Sequence, residues 1–148
     1  MDDRTVRGGR LSPVELATRL IACESVTPAR GPVFDLLEAL LVPLGFEVDR
    51  FVSGGEVENL FAIRHGPPGS RHFAFAGHVD VVPPGEGWTS APFPPEVRGD
   101  LLYGRGAVDM KGAVAAMIAA VAEMPAEAGT VSLVITGDEE GGALHGTV

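Results

Sequence analysis

The sequence predicts an α/β domain built on a single sheet. Two short apolar runs, 73–76 and 131–136, read as strands buried on both faces, because neither alternates with polar residues. Between them, 111–124 is the strongest helical stretch in the chain, closed by Pro125. Strand, helix and strand in that order belong in one α/β sheet.

The remaining elements follow from local signals. Ser12 is a helix N-cap, Pro13 suits the first helical position, and Glu15 supplies the acid of a capping box. Leu16, Ala17 and Leu20 line one face of that helix, and Leu11 is placed to staple against it. Cys23 falls on this helix as a small core residue. Ser-Val-Thr-Pro at 25–28 breaks the helix, and a second one runs over 32–41 until Pro43 and Gly45 stop it. Residues 46–52 alternate apolar and polar, turn at Gly54 and Gly55, and return over 59–65 as a hairpin. A Pro- and Gly-rich loop covers 83–95 with Trp88 and Phe93 as anchors, and 97–103 forms a small hairpin around Gly99 and Asp100.

Composition removes several function classes. The 148 residues carry 11 Lys and Arg against 20 Asp and Glu, a net charge of −9. Nucleic acid and anionic membranes both require clustered basic residues, so neither is an expected partner. The longest apolar run, 113–122, is far shorter than the roughly 18 residues a membrane span needs. The first ten residues have no apolar stretch of a secretory signal. Cys23 stands alone, so no internal disulfide forms, and a reducing cytoplasmic location is expected.

The chemistry concentrates between 77 and 140. His78 and Asp80 follow the first predicted strand, Asp109 precedes the helix, and Glu139 and Glu140 follow the second strand. In open α/β sheets, ligands bind beyond the carboxyl ends of strands, so these groups share one rim. Imidazole and carboxylates are the ligands Zn²⁺ takes. A pair of ions about 3.5–4 Å apart needs a bridging carboxylate, for which Asp109 is the candidate. Taken singly, each residue has a plainer reading. His78 could be a satisfied core histidine, Asp80 a turn residue, Asp109 a helix cap, and the Glu pair first-turn acids. An adjacent buried Glu pair is nevertheless awkward without a cation, and convergence of all five favours metal. His65, His72 and His145 lack partners at ligand spacing and read as surface residues. The glycines at 104 and 106 make neither a dinucleotide loop nor a phosphate loop, since Asp109 takes the third glycine position and no Gly-Lys-Ser/Thr follows.

Three segments carry a resemblance: Gly-His-Val-Asp-Val-Val-Pro-Pro-Gly at 77–85, Tyr-Gly-Arg-Gly-Ala-Val-Asp-Met-Lys-Gly at 103–112, and Thr-Gly-Asp-Glu-Glu-Gly at 136–141. They resemble the metal-site motifs of the dizinc aminoacylase/carboxypeptidase (M20-type) family. The resemblance implies a three-layer α/β/α zinc-hydrolase catalytic domain with a mixed, largely parallel sheet, truncated at its C-terminal side. It implies His78 as a terminal ligand of one Zn²⁺, Asp109 as the bridge, Glu140 as a ligand of the second Zn²⁺, and Glu139 as general base. Co²⁺ would substitute for Zn²⁺. Asp80 would accept a hydrogen bond from His78 and fix its tautomer. The peptide bond after Asp109 would be cis. The implied activity is hydrolysis of the amide of a small N-acyl amino acid. A non-catalytic acidic domain that binds metal or a protein partner is the rival from another class. The family's remaining carboxylate and histidine ligands, and the inserted domain through which it forms homodimers, have no counterpart in 1–148. This stretch is therefore expected to be the N-terminal part of the catalytic domain, inactive alone.

Overall fold

The computed structural model describes residues 6–7 and 10–146. Strands β1 (Val6–Arg7) and β2 (Arg10–Leu11) form a short antiparallel pair. Helix α1 (Pro13–Ala22) begins where the sequence signals place it, with the Ser12 hydroxyl accepting the Glu15 N–H at 3.4 Å. Helix α2 (Pro32–Leu41) runs into a short 3₁₀ turn that ends at Gly45, whose φ of 86° a side chain would strain. A hairpin follows, β3 (Glu47–Ser53) and β4 (Val57–Arg64), and then β5 (His72–His78). Strands β6 (Glu96–Arg98) and β7 (Leu101–Tyr103) make the small second hairpin. Helix α3 (Gly112–Glu123) and β8 (Thr130–Thr136) complete the fold.

The main sheet has the order β3-β4-β8-β5. It is mixed: β5 runs parallel to β8, whereas β4 pairs antiparallel with both β3 and β8. The register matches Leu60 to Ile135 and Ala62 to Leu133, so these residues and Val131 lie on one face. All three helices bury their apolar stripes in one cluster with that face, through Leu16 and Leu20 of α1, Val33, Phe34 and Leu37 of α2, and Val114 and Ile118 of α3. The layers present are therefore one helix layer and the sheet. The opposite face carries no helix among the described residues, and Phe51 and Val134 on it are exposed.

Two local readings differ from the structure. Residues 73–76 are not buried on both faces: β5 is an edge strand, and Phe73 is 60% exposed. A featureless apolar run identifies a strand but not its neighbours, and among the described residues only β8 lies beside it. Cys23 lies one residue past the end of α1, as its C-cap, partly buried against the core.

The 25–28 segment does more than stop α1. Thr27 N–H donates to Val81 O and Ala29 N–H to Gly137 O, while the Ser25 hydroxyl donates to Val79 O. This extended piece thus lies between the ends of β5 and β8 and ties the two together.

Candidate metal centre

Strands β5 and β8 are in register to their ends, with His78 opposite Thr136. Whatever follows each strand therefore emerges at the same level of the sheet. Beyond β5 come Val79 and Asp80; beyond β8 come Gly137, Asp138, Glu139 and Glu140. Asp109 arrives from a third direction. Residues Ala107–Lys111 form a wide turn broken by extended backbone at Asp109 (φ −122°, ψ 102°), with a cis peptide bond to Met110. The turn begins at Gly106, at φ 82°, where a Cβ would fall 2.6 Å from Val81 Cγ1. Gly112 has no more room, because a Cβ there would collide with Ala107 O.

These segments bring the sequence candidates together. One ligand atom each from His78, Asp109 and Glu140 lies within 4.8 Å of the others. His78 Nε2 is 3.1 Å from Asp109 Oδ1 and 3.6 Å from Glu139 Oε2. The imidazole is buried, whereas the Asp109 carboxylate is largely exposed at the rim. On the other side of the ring, Nδ1 meets Asp80 twice, at 3.0 Å to its carbonyl oxygen and 3.4 Å to Oδ1. An Nδ1–H donating to Asp80 leaves Nε2 free to face a ligand. Met110 also serves His78, its Sδ accepting the backbone N–H at 3.4 Å.

Asp80 is fully buried, and its carboxylate does more than orient His78. Oδ1 accepts the backbone N–H of Glu139 at 3.1 Å, and Oδ2 accepts that of Glu140 at 2.9 Å. Burial pushes the Asp80 carboxyl upward, but His78 and the two N–H donors outweigh it and hold it below its ordinary value. The hydrogen bond to Asp80 raises His78 to about 9, against the opposing effect of burial. Glu140 is raised by burial and by the neighbouring Asp109 charge.

The donor chemistry fits a divalent cation. Three carboxylates, those of Asp109, Glu139 and Glu140, surround a single imidazole whose free nitrogen points among them. Without a cation, Asp80 first and Asp109 after it raise His78, and burial together with the Asp109 charge raises Glu140. A bound cation relieves both.

Lys111 was not singled out from the sequence, where it reads as the first residue of a helix. It is fully buried, and its ammonium donates to Leu20 O at 2.9 Å and Cys23 O at 2.7 Å. Burial lowers it to about 8. In the loop before the small hairpin, Trp88 Nε1–H and the Arg105 guanidinium both donate to Pro84 O, and Arg105 stacks on the Trp88 ring. Trp88 is thus a loop anchor. Of the other histidines, His65, His72 and His145 are all exposed; His72 contacts Ser132, and His145 lies over Gly54.

Residues 74–148 match the model of peptidase family M20/M25/M40, a span that contains all five candidate residues. The chain belongs to this family. Among curated proteins, the chain is 71% identical over 142 residues to a succinyl-diaminopimelate desuccinylase of Novosphingobium aromaticivorans, covering 93% of this chain and 38% of that protein. It is 70% identical to a protein of the same name from Erythrobacter litoralis, covering 90% of this chain and 38% of that one. The M20/M25/M40 chain therefore spans well under half the length of these relatives. Among solved structures, human carnosine dipeptidase 1 superposes with a TM-score of 0.76 at 27% identity, over 89% of this chain and 33% of that one. The yeast dipeptidase Dug1p shares the fold, with a TM-score of 0.77 at 18% identity over 89% of this chain and 33% of its own.

Proposed function

We propose that the chain is the N-terminal part of the catalytic domain of a dizinc desuccinylase. The reaction would be hydrolysis of N-succinyl-LL-2,6-diaminopimelate to succinate and LL-2,6-diaminopimelate, a step toward lysine and cell-wall peptide. The observation that carries this reading is the 71% identity over 142 residues to a succinyl-diaminopimelate desuccinylase, a stretch that includes the carboxylate and imidazole cluster.

In this reading His78 would hold one zinc and Glu140 the second, with Asp109 as the ligand they would share, and Co²⁺ would be able to substitute. When bound, the ions would activate water and polarise the amide carbonyl. Glu139, half-exposed at the rim, is free to accept a proton from the attacking water and return it to the leaving amine. Asp80 keeps the His78 ring oriented and holds the Glu139 and Glu140 backbone in place. These residues supply two protein groups per ion, fewer than the three a catalytic zinc normally keeps. The remaining ligands, the substrate-binding groups and a homodimerisation domain would belong to sequence outside 1–148, and the location would be cytoplasmic.

The test is to join residues 1–146 to the remainder of the Novosphingobium relative and assay the product with Zn²⁺ or Co²⁺. Turnover of N-succinyl-diaminopimelate, with none from the 148-residue chain alone, supports the reading. Preference for N-acetylornithine or a dipeptide would reassign the substrate. A folded, metal-loaded chimera without amidase activity would favour the non-catalytic alternative.

A further inference from the structure

We infer that Lys111 is a positioning residue that holds the Asp109 turn against the end of α1. The inference rests on the reading of Asp109 as a metal ligand. Helix α1 ends with carbonyls that have no partner inside the helix, and Leu20 O is one of them. Lys111 Nζ reaches that oxygen and the Cys23 carbonyl just beyond it, so the cation sits at the negative end of the helix. The Phe93 ring lies 5.9 Å from the same ammonium and closes a further side. Among the described residues Lys111 makes no ion pair with a carboxylate; the two carbonyls and the ring lie against its ammonium.

A fully buried ammonium held by two carbonyls has little freedom to shift. Its backbone is fixed too, since the Lys111 N–H donates to Gly106 O at 2.9 Å. Asp109 lies between these two anchored points, Gly106 and Lys111, in a turn with space for no Cβ at Gly106 or Gly112. The carboxylate itself is exposed, and its one hydrogen-bond partner among the described residues is His78. Its aim toward the metal position is therefore set by the backbone of the turn, and the deepest attachment of that turn is the Lys111 side chain. The Cys23 carbonyl also begins the segment that Ser25 and Thr27 bond to the ends of β5 and β8. One ammonium thereby registers the Asp109 turn against the strand ends that carry His78 and Glu140.

Lys111→Met keeps the apolar stem and removes the ammonium; Lys111→Gln keeps N–H donors without the charge. Both are compared with the wild-type 148-residue chain by Co²⁺ titration followed in the visible spectrum, and by amide hydrogen exchange without metal. The expected result for Lys111→Met is Co²⁺ binding weakened about tenfold or more, a changed d–d spectrum, and faster exchange at residue 111. Lys111→Gln should fall between it and wild type. Arg50→Met controls for general destabilisation, because Arg50 bonds Asp35, Glu38 and Glu58 and none of the metal-site groups. It should lower stability with Co²⁺ affinity unchanged. Wild-type affinity, spectrum and exchange in a folded Lys111→Met chain would overturn the inference. Failure of both Lys111 variants to fold would also overturn it, assigning Lys111 to stability alone. If the wild-type chain bound no Co²⁺ while exchange at residue 111 still rose in the variants, the metal reading would fall and the anchoring role would stand.

Discussion

Asp80 Oδ2 accepts the backbone N–H of Glu140 at 2.9 Å, while the other oxygen of the same carboxylate accepts that of Glu139. A buried acid beneath the His78 ring therefore also holds the loop after β8. Residues 31 and 59–60 positions apart in sequence reach the rim through one carboxylate and one imidazole.

Removing that carboxylate should loosen the whole rim. Asp80→Ala leaves two backbone donors without their acceptor and removes the 3.4 Å carboxylate contact to His78, whose bond to the residue 80 carbonyl remains; each charge-assisted bond is worth about 1.5–3 kcal/mol. The expected loss of unfolding free energy is about 3 kcal/mol or more, measured by urea titration at pH 7. Because the folded Asp80 carboxyl is held below its ordinary value, its stabilisation is present above about pH 4 and disappears as the pH falls further. The acid limb of the stability profile should be shallower in Asp80→Ala than in wild type. Equal slopes would show that the folded Asp80 carboxyl is not held below its unfolded value.

Metal binding should release a proton. His78 holds its proton up to about pH 9 in the metal-free chain, and only a neutral imidazole can coordinate. Co²⁺ affinity should therefore rise about tenfold per pH unit from pH 6.5 to 8 and level off near 9. Calorimetry at pH 7 in buffers of different ionisation enthalpy should count about one proton released. An affinity independent of pH would mean that His78 is not a ligand.

The two adjacent glutamates should separate by phenotype in the extended enzyme. Glu139→Gln should keep its metal and lose about 10²–10⁴-fold in kcat, the usual value of general-base assistance. Glu140→Gln should instead lower metal content at one site. Zinc analysis and turnover on the same preparations distinguish them, and near-normal kcat in Glu139→Gln would remove Glu139 from the chemistry.

Gly106→Ala tests the space beneath the Asp109 turn. Both the φ of 82° and the 2.6 Å approach to Val81 Cγ1 oppose a methyl group. Gly85→Ala meets only the first obstacle, since its φ is 71° and no atom lies within 4 Å of the added Cβ. Gly85→Ala should cost about 1 kcal/mol and Gly106→Ala at least about 2 kcal/mol, by thermal unfolding. Similar costs would show that Val81 moves aside freely.

Much of this fold was legible because its signals are local. Ser12, Pro13 and Glu15 act within one turn, and Pro32 and Gly45 bound α2 in the same way. The hairpin at Gly54 and Gly55 was equally plain. The exposure of β5 was not, because whether a strand is an edge depends on pairing partners far away in sequence. The candidate site was readable as a set of side chains: His78, Asp109 and Glu140 do meet. Its supports were less so. Asp80 was read toward His78, but half of its bonding is to peptide N–H groups, which every non-proline residue carries and no motif marks. Lys111 bonds main-chain carbonyls 88 and 91 residues away and likewise leaves no pattern in composition or spacing.

His78 closes β5, a strand with a hydrogen-bonded neighbour on one side only among the described residues, and the thioether of Met110 takes its N–H. Peeling such a strand breaks its ladder with β8 and the bonds of the 25–28 segment and draws Phe75 and Val79 from the core, while the other elements stay packed on one another. A metal held here would therefore leave on the timescale of strand fraying rather than of global unfolding. In the isolated chain, residence time and thermal stability should be separate properties, and a strand laid along β5 would lengthen the first far more than it raised the second.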